Sequence, residues 1–138
     1  MSQYFDIGDE TLWNPSNGAA RLFLRCVRLY EEELGVPSGF GAMENDECAI
    51  DPRVFESFVN TLLLWHAGRS HRVIDALSRG FTATVLVLAE RARIEVRWPE
   101  PSPGPEGRSD VQVPMPDQRT RWDTLRESAA ALSRSMPV

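Results

Sequence analysis

The sequence predicts an α+β fold, with three or four helices packed on a small antiparallel sheet and a C-terminal helix after a proline-rich linker. Apolar residues recur at helical spacing over most of the chain, and two short stretches alternate apolar with polar residues as strands do. The chain has 138 residues, of which 42% are hydrophobic. This length and composition are enough to bury a core within one domain.

The first two strands are predicted as a hairpin between Gln3 and Trp13. Phe5 and Ile7 alternate with polar neighbours, and Gly8 followed by Asp9 supplies a turn that tolerates positive φ. The alternation predicts a sheet with one covered face.

A first helix is predicted after this hairpin, with Asn14 as its N-cap, Pro15 at its first position and Gly35 as a left-handed C-terminal cap. The segment from Val36 to Ile50 contains a proline, two glycines and an acidic cluster. It is predicted to be an irregular loop with a short extended piece at Cys48–Ile50.

Two further helices are predicted in the middle of the chain. Asp51 caps the first of them with Pro52 at its first position. Ser70 caps the second, whose apolar positions keep helical spacing through Gly80 and are predicted to form one stripe: Ile74, Leu77, Phe81, Val85 and Leu88. A glycine inside a helix costs about 1 kcal/mol, so a break there is one alternative. A buried strand at Thr82–Leu88, where β-branched residues are frequent, is the other.

The C-terminal third is predicted to contain a strand, a linker and a helix. Apolar and charged residues alternate in Ile94–Trp98, which indicates a strand, and Val111 and Val113 can pair with it as an edge strand. Six of the ten prolines fall in residues 99–116, which we interpret as a linker. The chain therefore divides into a compact domain over residues 1–98, this linker, and an amphipathic helix over residues 117–138.

The last helix is predicted to begin at Asp117 and to carry a narrow apolar seam. The members of this seam are three or four residues apart: Trp122, Leu125, Ala129, Leu132 and Met136. A seam this narrow resembles a coiled-coil face more than a core face. Trp122 and Leu125 are therefore predicted to bind a protein partner, and residues 122–136 offer a surface for a homodimer.

Composition excludes several classes of function. All fifteen basic residues are arginine, so no lysine is present for Schiff-base chemistry or for a phosphate-binding loop. The net charge of −5 argues against nucleic-acid binding, and no apolar run approaches the length of a membrane span. The acidic N-terminus does not resemble a signal peptide, and two cysteines are too few for a disulfide framework, so a cytoplasmic location is expected.

An acidic cluster between residues 43 and 51 is the main candidate for a polar site. Glu44, Asp46 and Glu47 are predicted to bind a protein partner, and Glu44, Asp46 and His66 are weak candidates for acid–base catalysis. The cluster lacks the ligand spacing of a calcium loop, and its simplest interpretation is a solvated loop. No paired spacing of cysteine and histidine supports a zinc site, so neither a metal nor a cofactor is predicted.

Three segments resemble a family of small uncharacterised actinobacterial proteins: TLWNPSNGAARLF, MENDECAID and FTATVLVLAERA. The likeness covers about residues 1–100. It implies a bacterial cytoplasmic protein with one compact domain ending near Trp98, and it implies no activity, ligand or catalytic residue.

Two functions are consistent with these features. The first is a non-catalytic interaction or accessory protein that binds a basic protein partner through the acidic loop and an aromatic, arginine-rich surface. The alternative is a small enzyme or ligand-binding protein of bacterial secondary metabolism, with a small molecule held in a carboxylate and histidine pocket. A homodimer is compatible with either.

Overall fold

The computed structural model describes residues 2–69, 71–100 and 117–138. In these ranges four helices accompany a four-stranded mixed sheet, which confirms the α+β fold and the C-terminal helix after a linker. The elements in chain order are β1 (Tyr4–Ile7), β2 (Glu10–Trp13), α1 (Asn17–Leu34), β3 (Phe40–Glu44), β4 (Glu47–Ile50), α2 (Pro52–Ala67), α3 (Arg72–Arg91) and α4 (Gln118–Ser133).

The sheet has the strand order β2-β1-β4-β3. The predicted hairpin of β1 and β2 is confirmed, and Gly8 in its turn has a φ of 58°. β1 also pairs in parallel with β4, so that Phe5 lies opposite Cys48. The sheet is therefore mixed, whereas a purely antiparallel sheet was predicted.

The prediction of an irregular loop over residues 36–50 was wrong for most of its length, because the β3–β4 hairpin forms there, while the extended piece predicted at Cys48–Ile50 lies in β4. Its two-residue turn consists of Asn45 and Asp46, which have φ values of 51° and 64°. Asn and Asp tolerate such left-handed values, and two of them in sequence suit a tight hairpin turn. The acidic residues around this turn had been interpreted as a solvated loop, so the two flanking strands were not predicted as a hairpin.

The predicted strand at Ile94–Trp98 was also wrong. Its alternation is real, since Ile94, Val96 and Trp98 are half-buried, but none of these residues belongs to a strand. The side chain of Asn60 pairs with this backbone instead, donating to the Glu95 carbonyl at 3.1 Å and accepting from the Arg97 amide at 2.7 Å. A helix side chain thus takes the place of a neighbouring strand. The predicted edge strand at Val111 and Val113 lies outside the described residues.

Helix α1 starts later than predicted. Ser16, not Asn14, is its N-cap, with the Ser16 hydroxyl accepting from the Ala19 amide at 3.4 Å. The Asn14 amide instead donates to the Pro137 carbonyl at 2.8 Å, so Asn14 joins the N-terminal hairpin to the C-terminus. The left-handed cap at Gly35 is confirmed, with a φ of 69°.

The other helix starts agree with the sequence where the structure describes them. Asp51 caps α2 and Asp117 caps α4, each through its carboxylate. The predicted cap Ser70 lies outside the described residues, and the imidazole of His71 accepts from the first amides of α3. α3 runs unbroken through Gly80, so the alternatives of a break and of a strand at residues 82–88 were wrong.

Two packed layers form the core, one between the sheet and the helices and one between α3 and α4. In the first layer the buried rings of Phe5, Phe23, Phe40 and Phe55 meet mostly edge to face, at centroid distances of 5.3 to 5.9 Å. The second layer holds α4 against the rest of the chain. The predicted division into three parts stays a prediction, although α4 packs on α3 and is not a separate body.

A single arginine ties the C-terminus to the first hairpin. The Arg91 guanidinium donates to the carbonyls of Leu12 at 2.8 Å, Ser133 at 3.1 Å and Met136 at 2.8 Å. Backbone carbonyls at a helix end are good partners for a cation. None of the helices in the described ranges is both long and apolar enough to cross a bilayer.

Candidate binding groove

A concave groove lies between α1 and α3, with a volume of about 660 Å³. Its lining is mainly apolar and aromatic: Trp13, Ala19, Leu22, Phe23, Cys26, Leu29, Tyr30, Glu33, Trp65, Arg69, Ile74, Leu77, Gly80, Phe81 and Thr84. We refer to this feature as the α1/α3 groove. Deep apolar concavities with few polar groups are typical of binding sites.

Stacked aromatic rings form the floor of the groove. Tyr30 stacks on Phe81 with 4.3 Å between ring centroids, and Trp65 meets the Tyr30 ring edge to face at 5.9 Å. Burial raises the pKa of Tyr30, so its hydroxyl stays protonated at neutral pH. The floor is therefore a rigid and uncharged surface.

The rims of the groove carry three exposed leucines. Leu22 and Leu29 on α1 are 65% and 61% exposed, and Leu77 on α3 is 77% exposed. Gly80, one turn after Leu77 on α3, leaves open space beside it, since a Cβ atom placed on it would meet nothing within 4 Å. Contiguous exposed apolar residues of this kind mark interaction surfaces.

Both walls repeat in the pattern of a coiled-coil seam. On α1, beside the buried Phe23 and Tyr30, the less buried lining residues are three and four residues apart: Ala19, Leu22, Cys26, Leu29 and Glu33. On α3 the exposed Val73 and the lining residues Leu77, Gly80 and Thr84 follow the same spacing. A repeat of three and four residues is the pattern by which helices pack along each other.

One end of the groove is charged. Glu33 lies on α1, one turn after Tyr30, and the Arg69 guanidinium lies 5.2 Å from the ring of Trp65, which itself contacts Tyr30. Within the described part of the chain, the carboxylate of Glu33 makes no ion pair. Among the residues that line the groove, only these two are charged.

A buried polar network connects α2, α3 and α4 behind the groove. His66 Nε2 lies 3.0 Å from the Ser78 hydroxyl and 2.9 Å from the Thr82 hydroxyl, and His66 Nδ1 lies 4.0 Å from Asp75 Oδ1. Arg121 of α4 completes the network, with its Nε 3.6 Å from Asp75 Oδ1.

The same network resembles a serine, histidine and aspartate arrangement, but its surroundings do not suit nucleophilic catalysis. Ser78 and His66 are each only 1% exposed, so no substrate can reach them in this structure. The Ser78 hydroxyl donates to the Ile74 carbonyl at 2.7 Å, and Nδ1 of His66 is too far from Asp75 for a hydrogen bond. The arrangement is therefore a buried polar network that holds α2, α3 and α4 together.

Protonation of His66 is expected to destabilise the fold. Burial lowers the pKa of His66 to about 4 from its ordinary value of 6.5, against the opposing effect of Asp75. The unfolded chain thus binds this proton near pH 6.5 and the folded protein only near pH 4. The contribution of neutral His66 to the free energy of unfolding is therefore fully present above about pH 7. It is lost as the pH falls from about 6.5 toward 4.

Urea unfolding at pH 7.5 and pH 5.5 measures this effect. We expect the free energy of unfolding to be about 1 kcal/mol lower at pH 5.5. His66→Gln should remove most of that difference, because glutamine does not titrate. A wild-type protein equally stable at both pH values would contradict the assignment.

The predicted acidic residues lie at the β3–β4 turn, away from the groove. Glu44 and Glu47 are exposed, and half-buried Asp46 accepts from the Gln3 side chain at 3.4 Å. His66 is about 20 Å along α2 from the end of β4, by the rise of a helix. No contact in the described residues joins it to Glu44 or Asp46, so the structure does not assemble the predicted carboxylate and histidine pocket.

The predicted partner-binding residues of α4 lie in the core of their own chain. Trp122 and Leu125 are 4% and 3% exposed. The Trp122 indole donates to the Pro99 carbonyl at 3.1 Å and its ring meets that of Trp98 at 5.3 Å. Met136, at the end of the same seam, is 6% exposed.

The groove residues were not identified from the sequence. Leu77 was predicted to face the core as part of the apolar stripe of α3, yet it is the most exposed large hydrophobic residue described. The signal that could have located the groove is a second apolar stripe on α1, offset by one residue from the buried stripe. A helix with two such stripes has more apolar surface than one core can cover.

The described chain offers no preformed metal site, as no three His, Cys, Asp or Glu side chains converge there. Cys26 and Cys48 are free thiols, and burial raises the pKa of Cys48 to about 11. A thiol with so high a pKa is a poor nucleophile at neutral pH.

These features define a small α+β protein with an open, apolar groove between two helices. The chain belongs to the DUF6086 family, a family of unknown function whose profile matches residues 1–138. No curated protein and no solved structure matches the sequence significantly.

Proposed function

We propose that this protein is a non-catalytic binding protein whose α1/α3 groove takes up an amphipathic helix of a protein partner. The observation that carries the proposal is the pair of leucine-bearing walls, with Leu22, Leu29 and Leu77 each more than 60% exposed. Covering such side chains gains about 1.5 to 3 kcal/mol for each one that becomes fully buried.

The dimensions of the groove suit a helix. The α1 wall from Ala19 to Glu33 spans about 20 Å, or four helical turns, by the rise of 1.5 Å per residue. Helices that bind in grooves insert apolar anchors at i, i+3 or i+4, and i+7. The three-and-four spacing on both walls provides matching positions for such anchors.

The charged end of the groove gives the bound helix a direction. Glu33 has no ion-pair partner in the described residues, so it favours a basic residue at that end of the ligand. Arg69 on the other side favours an acidic residue. Opposite charges at defined positions select register and orientation more than they add affinity.

An apolar small molecule is the second candidate for the groove. A volume of about 660 Å³ lies within the range of ligand pockets, which keeps ligand binding as an alternative function. The exposed rims favour a helix, because a small molecule resting on the floor would leave much of the rim leucines uncovered.

The acidic turn is proposed as a separate contact for a basic partner. Glu44 and Glu47 are exposed there beside Asp46. The turn and the groove can be tested side by side, because a variant of either leaves the other unchanged.

A displayed library of 14-residue helical peptides tests the proposal. The library is selected against the wild-type chain immobilised at low density, and binding is measured for each enriched peptide by fluorescence anisotropy. We expect apolar residues at i, i+3 and i+7, and at least tenfold weaker binding to the L22E/L77E variant. Leu64→Glu is the matched control, because Leu64 is 64% exposed on α2 outside the groove and its substitution should leave binding unchanged.

Two results would overturn the helix-binding groove. One is the enrichment of peptides that bind L22E/L77E as tightly as wild type. The other is binding that depends on Glu44, Asp46 and Glu47 together but not on the leucines, which would locate the contact at the acidic turn.

A further inference from the structure

We infer that the helices covering the groove come from a second copy of this chain, so that the protein forms a two-fold homodimer through the α1/α3 groove. This inference rests on the proposed function, because it identifies the partner of the same groove. Each copy provides two adjacent helices with apolar seams, and two copies provide the four helices of a bundle.

The three-and-four residue spacing on α1 and α3 suits a four-helix bundle that is formed by two identical copies. An isologous interface uses the same patch on both subunits, so the patch must be complementary to itself. α1 contributes Leu22 and Leu29, and α3 contributes Leu77 and, one turn later, the open space at Gly80. The leucines of one copy can then enter the open positions of the other.

Charge determines the direction of the two-fold axis. Glu33 is one turn after Tyr30 on α1, and Arg69, just before α3, lies over the Trp65 ring that contacts Tyr30. The two charges therefore lie at the same end of the groove. An axis parallel to the groove places α1 of one copy over α3 of the other and brings each Glu33 near Arg69 of the second copy. An axis perpendicular to the groove would place Glu33 over the uncharged end near Trp13 and Ala19. The parallel axis therefore forms two ion pairs.

The structure also disfavours the other surface that could form a dimer. Most of the seam of residues 122–136 is covered within its own chain, since Trp122, Leu125 and Met136 are all less than 7% exposed and Ala129 and Leu132 are half-buried. Using that seam would require α4 to leave α3. The groove needs no such rearrangement.

The size of the interface predicts a dimer of moderate affinity. Two helices about 20 Å long and side by side present a footprint of roughly 400 Å², below the roughly 800 Å² per partner of a standard interface. We expect a dissociation constant in the micromolar range. A dimer of this strength dissociates on dilution.

Sedimentation velocity and light scattering of the full chain, from about 5 to about 200 µM, test the inference. The molar mass should rise with concentration from 15.5 kDa toward twice that value. L22E/L77E should remain monomeric, and Leu64→Glu should behave as wild type. Glu33→Arg and Arg69→Glu should each weaken the dimer about tenfold, and the double variant E33R/R69E should restore it to within about threefold of wild type.

Circular dichroism first establishes that every variant is folded. A wild-type chain that stays monomeric to 200 µM overturns the homodimer, while the peptide assay still decides whether the groove binds helices of other proteins. A dimer that survives L22E/L77E overturns it as well, because another surface then forms the contact. A double variant no stronger than the single ones would reject the parallel axis.

Discussion

Replacing Arg121 with alanine is expected to lower the free energy of unfolding by about 3 kcal/mol, because this buried guanidinium joins three helices. It donates to the carbonyls of His66 and Arg69, each at 3.0 Å, and lies 3.6 Å from the Asp75 carboxylate. Its side chain is only 7% exposed, so water cannot replace it without opening the contact between α4 and the rest of the fold. Asp75 keeps its ion pair with Arg79, so the loss comes mainly from the buried carbonyls of His66 and Arg69, which are left without their donor.

Urea denaturation of the variant at pH 7.5 measures this loss. Arg119→Ala is the matched control, since Arg119 is exposed on the same turn of α4 and should change stability by less than about 0.5 kcal/mol. The pKa of His66 should also rise in the Arg121 variant, because the Arg121 charge helps to lower it. Equal stabilities for the two alanine variants would show that α4 is not held by this arginine.

Replacing Gly39 with alanine is expected to cost about 3 kcal/mol or more. Gly39 has a φ of 89°, which strains any other residue, and a Cβ atom there would lie 2.7 Å from the Asp51 carbonyl and 2.8 Å from the Phe55 amide nitrogen. Both are backbone atoms at the start of α2, so neither can move without shifting the helix. The cost combines backbone strain with overpacking.

The same substitution at Gly80 should have the opposite sign. Gly80 lies inside α3 with nothing within 4 Å of its Cβ position, so alanine gains helix propensity of up to about 1 kcal/mol. Thermal and urea unfolding of G39A and G80A under identical conditions compare the two. If G39A retained wild-type stability, Gly39 could not be in close contact with α2 as described.

The sequence predicted elements whose signals are local. Caps such as Asp51 and Asp117 and the turn at Gly8 depend on neighbouring residues alone, and the structure has all three. The parallel pairing of β4 with β1 could not be predicted in the same way, since it joins residues more than forty positions apart. Alternation also predicted burial at Ile94–Trp98 correctly while the hydrogen-bond partner was a helix side chain.

The candidate site was harder to predict than the fold. Periodicity identifies an apolar stripe but not what covers it, so Leu77 was assigned to the core and Trp122 to the surface. The reverse is observed, because α4 packs on α3 and uses its narrow seam within the chain, while α1 retains a second stripe with nothing over it among the described residues. Such competition between elements for one face is decided by tertiary packing.

The most direct test of the central claim is hydrogen–deuterium exchange of the chain with and without a saturating concentration of the helical peptide selected as described above. We expect protection of residues 19–33 and 73–84, which form the two walls, and unchanged exchange at the β3–β4 turn. Protection confined to residues 43–47, with no change along α1 and α3, would contradict the claim that the groove is the binding surface.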